Sequence, residues 1–199
     1  MINAIYLAAG KSSRMGRHKL SLELGDSTVG NLALSVLMQS SYINEVFVIV
    51  QEDDSLHWIS KENKEWLKGK KGQILVCKES FNGQSFSLKR GFSIAVKRPE
   101  QKILICLADQ PFINEKMIET LYSAEMEEGD EYIASVHKGV IKPPILFHKK
   151  AYEKIEKLAG DTGARSLIKK GNLQGKKIEF SEDDWFVDID TEEDYLKWK

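Results

Sequence analysis

Short runs of β-branched and other apolar residues alternate along the chain with longer segments of helical period, and this alternation restricts the fold more than any other feature. Residues 3–8, 45–51, 73–77, 102–108, 132–136, 144–147 and 176–180 read as strands, with a further short strand at 185–189. Apolar positions recur at three- and four-residue steps in 28–39 (Val29, Leu32, Ala33, Val36, Leu37) and in 113–126 (Ile113, Met117, Ile118, Leu121, Tyr122). Segments 56–68, 85–97, 148–158 and 163–170 also read as helical. Parallel strands need helical crossovers, so strand and helix alternating through the first 127 residues predict an α/β fold with a mostly parallel sheet covered on both faces. The later strands are more irregular and suit antiparallel additions in the C-terminal part. With no repeat or linker, the 199 residues are expected to form a single domain over 1–199.

Composition sets the outer limits. The chain is 42% hydrophobic and 30% charged with 14 Gly and only 4 Pro, so it buries a core without disulfides and carries no long low-complexity tract. Lys and Arg number 29 against 30 Asp and Glu, which lacks the basic surplus that nucleic-acid phosphates demand, so no nucleic-acid partner is expected. Acidic residues gather from Glu182 to Asp194, but Trp185, Phe186, Val187 and Ile189 interrupt them, unlike a solvated tail. No apolar run approaches the roughly 20 residues of a membrane span, and no basic region precedes the apolar start. A cytoplasmic location with no membrane partner is expected. Cys77 and Cys106 end two distant apolar runs and read as core residues, and His18, His57, His137 and His148 lack the spacing of a histidine metal site.

Ligands of such sheets bind beyond the carboxyl ends of the strands, so residues that follow an apolar run are the candidate site. The strand NAIYLA runs straight into AGKSSRMGRHK, where Gly10 and Gly16 let backbone N–H groups approach an anion and Lys11, Arg14, Arg17 and Lys19 supply charge. The spacing is that of neither a P-loop nor GxGxxG, and a solvated loop uses the same residues. In ILICLADQP, Asp109 follows a buried strand, placed either to reach a divalent cation or to cap the turn into Pro111 and the next helix. In WFVDIDTEED, period-two geometry puts Asp188 and Asp190 on one face as partners of Asp109 around one Mg²⁺. Asp190 or Thr191, with Asp194, equally suits the cap of a final helix. SFNGQSFSLKRG places Gly83, Ser85, Ser87 and Lys89 at the start of 85–97, as a polar-ligand site or an ordinary serine cap. In GDTGAR, Asp161 suits the cap of the following helix, and Arg165 is either a ligand or an ion-pair partner.

These places share one chemical sense: a cationic small-residue loop for a triphosphate and a strand-end aspartate for Mg²⁺, with no Ser/His/Asp or Cys/His arrangement. That is equipment for nucleotidyl transfer, where positioning and charge stabilisation do most of the catalysis.

LAAGKSSRMGRHK resembles the signature loop LAxGxSxRMGxxK of the MobA-like nucleotidyltransferases. LADQP, a terminal DIDTEED, GDTGAR and PILF (144–147) are similar to motifs of the molybdenum cofactor cytidylyltransferase branch, whose members include accessory proteins of xanthine dehydrogenase. The matches run in order from residue 4 to 195. The resemblance implies a three-layer Rossmann-like nucleotidyltransferase fold, with CTP and a molybdopterin-type cofactor as substrates, Mg²⁺ as cofactor and transient contact with a molybdenum hydroxylase. Leu7, Ala8, Ala9 and Gly10 would line the base and ribose site, and Lys11, Arg14, Gly16 and Lys19 would take the phosphates, with Gly83, Ser85 and Asp109 also on the nucleotide. Arg14, Lys19 and Asp109 would be catalytic, with Mg²⁺ held by Asp109 and one of Asp188 or Asp190. Gln84, Ser87, Lys142, Pro144, Asp161 and Arg165 would face the second substrate.

The chain departs from the family pattern at His18, where Asp or Asn is usual, at Gln84, where an apolar residue is usual, and at Phe86, which replaces a small one. Lys142 and Pro143 stand where the family has Gly-His. All but His18 lie in segments expected to face the pterin, so the second substrate is the less constrained of the two. A sugar phosphate or other small phosphorylated acceptor, or a non-catalytic cofactor-delivery protein, are the competing readings. LAAG rather than the LAGG of guanylyltransferases favours CTP over GTP.

Overall fold

The computed structural model describes residues 1–10, 18–69 and 71–199. In chain order these form β1 (Ile2–Leu7), a two-stranded hairpin of β2 (Glu23–Leu24) and β3 (Ser27–Thr28), α1 (Val29–Gln39), β4 (Ile43–Val50), α2 (Lys61–Lys68), β5 (Gly72–Val76) and α3 (Gln84–Ala95). There follow β6 (Lys102–Leu107), α4 (Glu115–Ser123), β7 (Tyr132–His137), β8 (Val140–His148), α5 (Tyr152–Ile155), α6 (Arg165–Lys169), β9 (Gly175–Glu179) and α7 (Glu192–Trp198).

Every residue of β1 is buried, as expected of a strand covered on both faces. It lies inside a seven-stranded sheet of order β5-β4-β1-β6-β8-β7-β9. The first four of these strands are mutually parallel; β8 runs antiparallel to both β6 and β7, and β9 is parallel to β7. The α/β architecture with antiparallel character in the C-terminal part is therefore present. Side-chain alternation divides the core in two: Ala4, Tyr6, Val46, Val48, Leu104 and Cys106 pack toward α1 and α4, while Ile5, Leu7, Phe47, Ile49, Ile103 and Ile105 pack toward α3, α5 and α6. Helix α3 comes close because residue 91 is glycine: a Cβ there would lie 2.6 Å from Ile5 Cγ2. Cys77 and Cys106 are both free and buried.

The expected strand at 185–189 is absent; Asp184–Phe186 makes a 3-10 turn and a segment outside the sheet runs on to α7. Three acidic residues, Glu182 to Asp184, and a tryptophan precede Phe186, a run that suits a turn better than a strand. The helix expected over 148–158 breaks into a 3-10 turn at Lys149–Ala151 and one turn of α5, and 56–68 becomes helical only from Lys61, behind a Ser60 side chain that accepts from Asn63 N–H. The β2–β3 hairpin is too short for period-two patterning to reveal.

Candidate active site

Chain connections leave β1 and β6 in opposite directions across the sheet, and such a switch point opens a crevice at the carboxyl ends of the two strands. Leu7, at the end of β1, still pairs there: its carbonyl accepts from Ala108 N–H at 3.1 Å. Beyond it, Gln51 Nε2 at the end of β4 donates to the carbonyls of Ala9 (3.3 Å) and Gly10 (3.0 Å), fixing the backbone that leads into the cationic loop. Alternation turns Leu7 and Ala9 toward the crevice and Ala8 into the opposite core, so Ala8 does not line the site. The expected phosphate-binding residues Lys11, Arg14 and Gly16 lie outside the described residues.

Asp109 stands just past β6, and two distant segments come to it. Lys19, almost fully buried at the start of a 3-10 turn, places Nζ 2.7 Å from Asp109 Oδ2 and 2.9 Å from Asp190 Oδ1. Asp190 is delivered by a backbone bond from Ile189 N–H to the Asp109 carbonyl (2.9 Å) and by α7, whose first turn is closed by a reciprocal Thr191–Asp194 capping box. Thr191, not Asp190, is thus the cap. Burial penalises the Asp109 carboxylate, Lys19 offsets part of that and Asp188 and Asp190 add repulsion; its carboxyl titrates above the usual range. Burial also opposes the Lys19 ammonium, but Asp109 and Asp190 outweigh it and hold it above the ordinary lysine value. Asp109 Oδ1 is buried with no hydrogen-bond partner among the described residues. Among the described residues no three or more His, Cys, Asp and Glu side chains are grouped as a metal site.

Asp188 has other partners. Gln110 Nε2 donates to its Oδ1 (2.8 Å) and Lys142 Nζ to its Oδ2 (3.2 Å). It nevertheless opens into the same cavity, of about 850 Å³, as Asp109, Asp190, Lys19, Ala9 and Gly10.

The far wall is the start of α3 packed on the 160–163 loop. Gly83, at φ +125°, is the N-cap in place of the expected serine, and Asp161 Oδ1 accepts from Gln84 N–H (3.2 Å), capping α3 rather than the helix that follows it. The reason is proximity: a Cβ on Gly83 would lie 2.3 Å from Gly160 C, so only glycine lets the two segments meet. Ser85 spends both its N–H and its hydroxyl on the Gly160 carbonyl and does not reach the cavity. Pro144 also stays outside, its carbonyl accepting from Ser135 (2.7 Å), while Pro143 lines the cavity. Gln84, Ser87, Asp161, Lys142 and Arg165 do line it. The sequence did not single out Gln51 or Gln110, although Gln51 ends the strand read over 45–51 and Gln110 directly follows Asp109.

The MobA-like NTP transferase domain matches residues 4–177. The chain belongs to the MobA-like NTP transferases. It is 34% identical to the purine catabolism protein PucB of Bacillus subtilis (strain 168) over 193 residues, 96% of this chain and 92% of PucB. A solved homologue of Mycobacterium tuberculosis Rv0371c, from Mycobacterium sp. strain JC1, superposes with TM-score 0.81 at 24% identity, covering 98% of this chain and 93% of its own. A nucleotidyl transferase from Methanothermobacter gives 0.73 at 22% identity over 99% and 95%. A manganese complex of Rv0371c from M. tuberculosis H37Rv gives 0.69 at 17% over 99% and 96%. No helix among the described residues is long and apolar enough to cross a membrane.

Proposed function

We propose that this nucleotidyltransferase transfers CMP from CTP to the phosphate of a molybdopterin-type molybdenum cofactor, releasing pyrophosphate. It acts in the cytoplasm as one domain over residues 1–199 and hands its product to a molybdenum hydroxylase such as xanthine dehydrogenase. The observation that carries the reading is the joining of Asp109 and Asp190 through Lys19 at the strand crevice that Ala9 and Gly10 also line. The LAAG sequence supports CTP, and similarity to a protein named for purine catabolism supports the hydroxylase.

Ala9 and Gly10, their carbonyls held by Gln51, receive the base and ribose; Lys19, Arg14, Lys11 and Gly16 serve the phosphates. The acceptor phosphate is largely a dianion at neutral pH, its second pKa being about 6, so its oxygen attacks the α-phosphorus without a general base. A P–O bond forms to the acceptor as the bond to the oxygen bridging to the β-phosphate breaks, and pyrophosphate leaves with the electron pair. The protein's task is alignment and positive charge.

The residues fit a divalent cation such as Mg²⁺. Asp109 offers a buried oxygen with no hydrogen-bond partner among the described residues, and such cations are held by one or two carboxylates plus substrate phosphates. Asp109 with Asp190 would hold it, and when bound it neutralises charge on the transferring phosphate.

The test is label transfer from each of the four α-labelled nucleoside triphosphates to purified molybdenum cofactor, with pyrophosphate release measured in parallel. CMP transfer is expected. Transfer to a sugar phosphate alone, or cofactor binding with no turnover, refutes the reading.

A further inference from the structure

Asp188 and Asp190, two residues apart, serve different groups. Asp190 shares Lys19 with Asp109, whereas both oxygens of Asp188 are taken, Oδ1 by Gln110 and Oδ2 by Lys142. The Gln110 amide has only one possible orientation, since a carboxylate only accepts and the nitrogen must therefore face Asp188. Gln110 is 1% exposed, and among the described residues its Oε1 has no hydrogen-bond partner while its Nε2 is spent on Asp188.

Lys142 is fixed in turn. Its ammonium has three donors; among the described residues one goes to Asp188 Oδ2 and one to the Phe186 carbonyl at 2.9 Å, and the side chain lines the cavity. Arg165 comes to the same place from α6: its Nη1 donates to the carbonyl of Ile141, the residue before Lys142, at 3.4 Å. Among the described residues no carboxylate pairs with Arg165, and it too lines the cavity. Two cations, one held by a carboxylate and the other bonded to the backbone beside it, therefore line the same cavity as Asp109.

We propose that Lys142 and Arg165 clamp the anionic phosphate of the acceptor, and that Asp188, held by Gln110, is a positioning residue for Lys142 rather than a metal ligand. The inference rests on the reading of the site as a transferase with a phosphorylated acceptor. A dianionic nucleophile must be brought beside a triphosphate, and without fixed cations the two repel. A lysine tethered at two points gives the phosphate one direction of approach.

Inorganic phosphate is the probe. It is titrated into protein saturated with Mn²⁺ and α,β-methylene CTP, which fills the triphosphate site, and broadening of its phosphorus resonance by Mn²⁺ reports binding near the metal. Lys142→Met and Arg165→Met are each expected to weaken phosphate binding about tenfold or more, the loss of a charge-assisted bond, with Lys142→Arg recovering part of it. Asp188→Asn should leave Mn²⁺ affinity, measured by electron paramagnetic resonance, within about twofold of wild type, while Asp190→Asn lowers it about tenfold or more. No phosphate binding by the wild-type protein, unchanged binding in both methionine variants, or a loss of Mn²⁺ in Asp188→Asn equal to that in Asp190→Asn overturns the proposal. The transfer assay separates the two readings: if only a sugar phosphate accepts CMP, the cofactor reading fails while the clamp is still decided by the phosphate and Mn²⁺ titrations.

Discussion

Lys19 and Asp109 lie 90 residues apart in sequence and 2.7 Å apart in space, and the same ammonium reaches Asp190 at 2.9 Å. One buried cation between two carboxylates lowers the repulsion a triphosphate would otherwise meet at this end of the crevice. Removing either carboxylate leaves the lysine with a partner, whereas removing the lysine leaves two crowded anions.

Asp109→Asn is therefore expected to cut nucleotidyl transfer by at least about a hundredfold while leaving thermal unfolding near that of wild type. The amide cannot supply an anionic oxygen, but it avoids the burial penalty that raises the carboxyl's pKa. Pyrophosphate release and circular dichroism melts check the two halves separately. Metal-dependent turnover close to wild type would remove Asp109 from the site.

Ala9 is the residue on which base selection turns. It is buried, it lines the crevice, and Gln51 donates to its carbonyl. A purine needs more room than a pyrimidine, so CTP should be preferred over GTP, and Ala9→Gly should relax that preference by roughly 1–3 kcal/mol without inverting it. Competition between labelled CTP and GTP measures the ratio; equal use by the wild-type protein would contradict the assignment.

Gly83→Ala should be among the more damaging single substitutions. Its φ of +125° is strained for any other residue, and the new Cβ would meet backbone atoms of Gly160 and Asp161 at 2.3–2.5 Å. Separating α3 from the 160–161 loop also breaks the Ser85 and Asp161 bonds, for a cost of about 2–4 kcal/mol. Urea unfolding gives the stability, and an unchanged midpoint would mean that the two segments slide apart freely.

Asp54 predicts a pH dependence. Burial opposes its ionisation, but His18, the Leu56 N–H and the Trp58 indole N–H together hold its carboxyl below the usual range. A depressed pKa in the folded protein adds stability that is complete above the ordinary carboxylate value and lost as pH falls through the lower one. Asp54→Asn should thus be about 1–2 kcal/mol less stable near neutral pH, and the gap should close in acid. Unfolding free energies of both proteins across the acid range provide the comparison; a gap independent of pH would assign the effect to shape.

The departures from the family pattern acquire definite places in three dimensions. His18 binds Asp54, and Lys142 binds Asp188 at the start of β8. Gln84 fills the space that a side chain at position 163 would need, its Oε1 lying 2.2 Å from where that Cβ would be. Neither pairing has a signal in the sequence, because each joins residues tens of positions apart.

Sequence alone determined the layered α/β fold, since burial on both faces leaves short continuous apolar runs and helical crossovers leave a 3.6-residue pattern, each written locally. It also marked Asp109, Asp188, Asp190 and Arg165, because strand ends and small-residue turns are local too, whereas Lys142 was marked only through the family resemblance. What it left open was which group each side chain serves. Whether Asp190 caps a helix or meets Lys19, whether Asp161 caps its own helix or α3, and whether Asp188 faces a metal or a lysine were decided by tertiary structure. Alternation fixes the face on which a residue lies, but a charged group's partner depends on which distant segments the sheet order brings to the same edge.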